Sequence, residues 1–252
     1  MKVLLYIAFL GTNYCGYQIQ PNGVTIQQKL NEATRDLFGY DCDIVGCSRT
    51  DSGVHANCFC ATVSKKGTNE LITTIPTEKI PLAIANLLPS DISVFKAVEV
   101  DNDFHPRYDV KYKEYVYRIW TRQERDPFSI DRTWCYSKKI DDIALDRMND
   151  AAKRLIGTHD YAAYMASDTK IKDTVRTITE AEVTRQGDVV EFRVCADGFL
   201  YNMVRILTGT LIAVAEGKIE PEDIEEITLS KDRRRAGITV PPCGLFLNKV
   251  VY

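Results

Sequence analysis

Residues 46–56 read Gly46-Cys47-Ser48-Arg49-Thr50-Asp51-Ser52-Gly53-Val54-His55-Ala56. They separate two apolar runs, at about 42–47 and about 56–63, that have the length and character of strands. A plain hairpin turns in roughly two to five residues, so this connection is longer than turning requires. Small, polar and charged side chains fill it. If Arg49 to Asp51 is extended, guanidinium and carboxylate project to one side. A neighbouring cation favours the ionised carboxylate that a nucleophilic acid needs. Gly53 permits a backbone turn that a residue with a Cβ resists. A surface Arg–Asp pair of small energetic consequence fits the same residues, and on the residues alone both readings stand.

Outward from this loop, the first half reads β-α-β-β-α-β. Residues 2–10 form a strand ending at Gly11. Thr25 and Gln28 make a capping box for a helix carrying Ile26, Leu30, Ala33 and Leu37, which Gly39 stops. A helix around 79–88 ends before Pro89, and a strand covers about 92–100. In the second half a strand at 110–120 puts Lys113, Tyr115, Tyr117 and Ile119 on one face. A helix spans about 142–156. Strands near 174–184 and 189–196 flank the turn Gln186-Gly187-Asp188. An apolar helix covers about 201–216, a short helix starts at Pro221, and a last strand covers 245–251. Helices interleaved with hairpins predict an α+β fold with a largely antiparallel sheet and helices packed on one face. The boundary falls near 101–109, giving an N-terminal half, 1–105, that carries the Asp51 loop and a C-terminal half, 106–252.

The chain has 252 residues, 45% hydrophobic and 27% charged, a globular composition that excludes collagenous or disordered classes. No apolar run is long enough for a membrane span. Residues 3–10 follow Met1-Lys2 without a cleavage-site pattern, so they read as a strand and not a signal peptide, and a cytoplasmic protein is expected. Eight cysteines include no CxxC pair, so neither metal nor disulfide is predicted, and Cys58 and Cys60 read as buried free thiols on one strand face. The net charge is −3. Residues 107–139 nevertheless hold nine Lys/Arg against five Asp/Glu, and Arg233-Arg234-Arg235 forms a second basic spot. Such a distribution suits a phosphate-rich partner or an ordinary solvated face.

The run Arg49 to Ala56 resembles the signature of the TruA family of tRNA pseudouridine synthases. Five further segments resemble that family's blocks in the same order. They are Tyr14-Cys15-Gly16-Tyr17-Gln18-Ile19-Gln20, Phe104-His105-Pro106-Arg107-Tyr108, Lys113-Glu114-Tyr115-Val116-Tyr117-Arg118, Gly198-Phe199-Leu200-Tyr201-Asn202-Met203-Val204-Arg205 and Pro241-Pro242-Cys243-Gly244-Leu245. Ser52 stands where Ala is usual in the family, and Cys243 where His is common.

The resemblance implies two similar RNA-recognition-like, or ferredoxin-like, halves that form a central cleft. It implies isomerisation of uridine to pseudouridine in the anticodon stem-loop of tRNA, at positions 38 to 40, by a homodimer that needs no cofactor and no metal. Asp51 becomes the catalytic carboxylate. Arg49 holds the everted nucleotide, Arg205 pairs with Asp51, Tyr115 stacks on the base, and Leu245 supplies an apolar wall. His55 is assigned to fixing the loop by hydrogen bonds, not to acid–base chemistry. Two other classes stay open on the residues: a non-catalytic RNA-binding module, and a nucleosidase using Asp51, which would need a second placed acid.

Overall fold

A computed structural model describes residues 1–166 and 171–252. The chain divides into two compact units, Met1–Lys111 with Leu247–Tyr252, and Tyr112–Phe246. The fold is α+β and mostly antiparallel. Among the described residues, no helix is long and apolar enough to cross a membrane.

The first unit follows the predicted order: β1 (Lys2–Phe9), α1 (Ile26–Phe38), β2 (Cys42–Gly46), β3 (His55–Lys65), α2 (Ile80–Ile84) and β4 (Ile92–Val100). Its strands lie in the order β4-β1-β3, with β2 paired to the far half of β3. Strand alternation accounts for the core. Val3, Leu5 and Ile7 of β1 and Phe59, Ala61 and Val63 of β3 are fully buried, as are Ile26 and Leu30 of α1. Of the predicted capping box the N-cap half is seen at α1, where Thr25 accepts a hydrogen bond from the Gln28 amide, while the Gln28 side chain donates to Glu32. Gly39 closes the helix at φ +76, where a Cβ would be strained.

The predicted 79–88 helix is broken. Only Ile80–Ile84 is α-helical, between 3-10 turns at Thr77–Lys79 and Ala85–Leu87. Pro81 sits in its first turn and Pro89 follows, leaving too little chain to propagate a regular helix.

The second unit contains β5 (Tyr112–Trp120), β6 (Trp134–Cys135), α3 (Asp142–Lys153), β7 (Gly157–Asp160), β8 (Val175–Gln186), β9 (Val189–Ala196), α4 (Met203–Ala215) and α5 (Asp223–Ser230). Its strand order is β5-β9-β8-β7, all antiparallel, with β6 a short parallel addition to β5. The last strand, β10 (Leu245–Val251), begins in this unit and ends in the first. Helix α4 is buried on nearly every side, which explains its continuous apolar sequence. Gly209 of α4 meets the 236–240 segment backbone to backbone, since a Cβ there would lie 1.9 Å from the Ile238 carbonyl oxygen. All eight cysteines are free thiols, with Cys60 buried and Cys58 half-buried.

Candidate active site

The Arg49–His55 loop is held by another piece of backbone. The β1–β3 ladder makes its last pairing between Phe9 and Ala56, and beyond it residues 11–17 run alongside the loop. Tyr17 donates its amide to the Thr50 carbonyl at 3.3 Å, and the Gly53 amide donates to the Tyr14 carbonyl at 3.4 Å. The Ser52 hydroxyl donates to the same Tyr14 carbonyl at 3.2 Å. Gly16, at φ +78, approaches so closely that a Cβ would sit 2.4 Å from the Thr50 oxygen. Inside the loop, the Val54 amide donates to the Asp51 carbonyl at 3.2 Å, and Gly53 adopts φ +79. Tyr14 is fixed in turn, its phenol donating to Asp91 at 2.6 Å. Burial and that carboxylate push the phenol's pKa well up.

This scaffold sets the side-chain directions. Arg49 is exposed and Asp51 half-buried, while Thr50 between them is buried. This exposed–buried–half-buried pattern is the one expected where side chains alternate between two faces. Two buried oxygens here, the Thr50 hydroxyl and the Tyr17 phenol, have no hydrogen-bond partner among the described residues.

Tyr115, Arg205 and Leu245 belong to the second unit. Tyr115 is only 6% exposed, and Phe199 meets its ring edge-on at a centroid distance of 5.0 Å. Tyr117 lies deeper, fully buried, with its phenol donating to the Pro241 carbonyl at 2.6 Å. Burial raises the Tyr117 pKa far above the usual phenol range, so it serves the core.

Arg205, in the first turn of α4, does not reach out along the helix to water. Its Nε donates to the Val240 carbonyl at 2.8 Å, and its Nη1 to Asn202 Oδ1 at 2.7 Å. Asn202 precedes the helix in the left-handed region, φ +59. The close approach at Gly209 brings the Val240 carbonyl within reach. These two neutral acceptors orient the guanidinium. Leu245 is buried at the start of β10, directly after the Pro242–Gly244 turn. A Cβ on Gly244 would collide with the Arg118 carbonyl and the Tyr117 ring.

The basic stretch supplies less charge than its composition suggests. Arg118 pairs with Glu191 at 2.8 Å, Arg122 with Asp188 at 3.4 Å and Lys138 with Glu216 at 2.6 Å, and Lys113 is buried. Arg107, Arg125, Arg132 and Lys139 remain exposed. A cavity of about 380 Å³ in the second unit is lined by Arg118, Arg132 and Glu191, with Phe128 (82% exposed) also lining it. The Arg233–Arg235 spot is largely structural: Arg233 donates to the Gly237 carbonyl, Arg234 pairs with Asp232 and Arg235 with Glu226.

Of the predicted residues, the fold puts Arg49 and Asp51 in one loop of the first unit, and Tyr115, Arg205 and Leu245 in the second. Sequence reasoning gives no supporting role to Asn202, Phe199 or Val240. Asn202, a polar residue just ahead of an apolar helix, is the one visible signal.

Known proteins match the chain along nearly its whole length. The family model described as tRNA pseudouridine synthase matches residues 5–109 and 151–252. A tRNA pseudouridine synthase A of Clostridium acetobutylicum is 42% identical over 251 residues, covering 100% of this chain and 99% of that protein. One from Exiguobacterium sp. is also 42% identical, covering 100% and 98%. Among solved structures, a Cbf5-Nop10-Gar1 complex aligns at a TM-score of 0.39 and 12% identity, covering 97% of this chain and 48% of that one.

Proposed function

The chain belongs to the tRNA pseudouridine synthases, enzymes that isomerise uridine in tRNA, and we propose that here Asp51 carries the chemistry, on uridines of the anticodon stem-loop. The reaction breaks the N1–C1′ bond, turns the uracil and joins C5 to C1′. A proton leaves C5 and one is gained at N1, so atoms balance without a redox partner. The difficulty is the positive charge that develops on the ribose as N1 departs. A carboxylate at that carbon stabilises it, as in retaining glycosidases. Arg205 is the counter-ion that keeps the carboxylate charged and oriented. Tyr115 stacks on the everted base, Leu245 forms a dry wall against hydrolysis, and Arg49 holds the displaced nucleotide.

The observation that carries this reading is the loop itself. Exposed Arg49 and half-buried Asp51 lie in a segment pinned at Thr50, Ser52 and Gly53 by residues 14–17. A surface ion pair has no need of such fixation, and a module that only binds RNA has no use for a carboxylate facing phosphates. We also read the working protein as a cytoplasmic homodimer that takes tRNA through its shape and phosphates.

The test is to incubate the protein with an unmodified tRNA transcript and map pseudouridine along it. Product at positions 38 to 40, with no free uracil, is expected. Free uracil would mean hydrolysis by a nucleosidase, and product confined to another arm would overturn the anticodon assignment.

A further inference from the structure

We propose that His55 is a positioning residue: a neutral imidazole whose Nδ1 lone pair locks the Asp51 loop to the end of β1. The proposal rests on the reading of Asp51 as the catalytic carboxylate. Its physical basis is an interrupted ladder. The pairing of β1 with β3 stops at Phe9 and Ala56, yet the two strands stay close past that point. A Cβ on Gly11 would lie 2.0 Å from the Val54 carbonyl oxygen. So close an approach leaves the Gly11 amide without a strand carbonyl and shut off from water. His55 Nδ1 receives that amide at 2.9 Å in a buried bond, and the residue is 0% exposed.

An imidazole can accept a hydrogen bond at Nδ1 only if that nitrogen carries no proton. The proton of the neutral ring is therefore on Nε2, and the Nδ1 lone pair is already committed. This makes the side chain a substitute backbone acceptor. It sits four residues after Asp51, and the Val54 amide bonded to the Asp51 carbonyl transmits its position to the carboxylate. Residues 14–17 fix the loop at Thr50, Ser52 and Gly53, and His55 fixes its far end. Without it, a buried N–H stays unsatisfied and Val54 can drift from Gly11.

Three substitutions separate this role from mere packing. His55→Leu fills the space without an acceptor. His55→Asn places Oδ1 where Nδ1 was. His55→Gln puts its oxygen one atom too far. We expect H55L and H55Q to lose about ten-fold or more in kcat with KM for tRNA within about two-fold of wild type, and H55N to recover to within about three-fold. An H55L enzyme within about two-fold of wild-type kcat would overturn the proposal, as would H55N no faster than H55L.

Should H55L not fold, the wild-type protein decides. Its ¹⁵N spectrum should show the His55 proton on Nε2 and a scalar coupling between the Gly11 amide and Nδ1. A proton on Nδ1 would overturn the proposal whatever the kinetics. That spectrum is independent of turnover, so loss of the Asp51 reading through an active D51N enzyme would be distinguishable from loss of this one.

Discussion

At the scale of single residues, the site depends on how charged groups are held. Arg205 donates to two neutral acceptors, and the more unusual is Asn202, which adopts a backbone conformation costing a residue with a Cβ about 1 kcal/mol. Replacing Asn202 distinguishes the backbone role from the side-chain role. Asn202→Gly relieves the conformation but removes the acceptor of the 2.7 Å bond to Arg205. We expect N202G to melt no lower than N202A, and both to lose about ten-fold in kcat, because a wandering guanidinium no longer presents its charge in one place. Thermal melts and steady-state rates on the two variants check this. Full activity in N202G would assign Asn202 to the turn alone. Of this geometry the sequence shows only a polar residue, Asn202, ahead of an apolar run. Tyr115 and Arg205 stand out by family pattern, but the left-handed turn at residue 202 and the carbonyl of Val240 depend on chain segments far apart in sequence. The burial pattern of the loop, by contrast, with Thr50 buried between exposed Arg49 and half-buried Asp51, is the kind that alternation produces.

At the scale of elements, what the sequence expresses as local physics is readable. The cap of α1, its apolar stripe and its glycine stop appear as expected, and so does the β8–β9 hairpin at Gly187. The broken α2 is not readable in this way, because apolar spacing says little about whether five residues with a proline in their first turn can sustain a helix. β6 and β7, of two and four residues, are too short for alternation to register. Between elements, one charge cluster ties the chain after β6 to the end of α4. Glu216, 15% exposed, meets Lys138 at 2.6 Å and Lys218 at 2.5 Å, and accepts a hydrogen bond from Tyr136 at 2.6 Å. The lysine bonds and the phenol lower its pKa to about 2 from an ordinary 4.5. A carboxyl depressed on folding adds stability above its unfolded pKa and loses it as pH falls through the folded value. Glu216→Gln should therefore lower the melting temperature at pH 7, with the difference shrinking between about pH 5 and pH 2. A difference independent of pH would mean the cluster acts by packing and not by charge.

At the scale of the whole molecule, the balance of charge governs how tRNA is captured. A net charge of −3 offers no general attraction, and several cations of the 107–139 stretch are occupied in internal pairs. The exposed remainder, including Arg125, Arg132 and Lys139, should set the salt dependence of binding. Replacing these three with alanine should weaken tRNA affinity at low salt and flatten the plot of log Kd against log salt by about one unit for every phosphate no longer neutralised. An unchanged slope would place the tRNA on another surface. The role of Asp51 is decided by single-turnover release of tritium from tRNA labelled at uridine C5, using wild-type protein and Asp51→Asn at saturating enzyme. The wild type should release tritium and D51N none above background, although the variant folds and binds tRNA. Tritium release by D51N at an appreciable fraction of the wild-type rate would contradict that role.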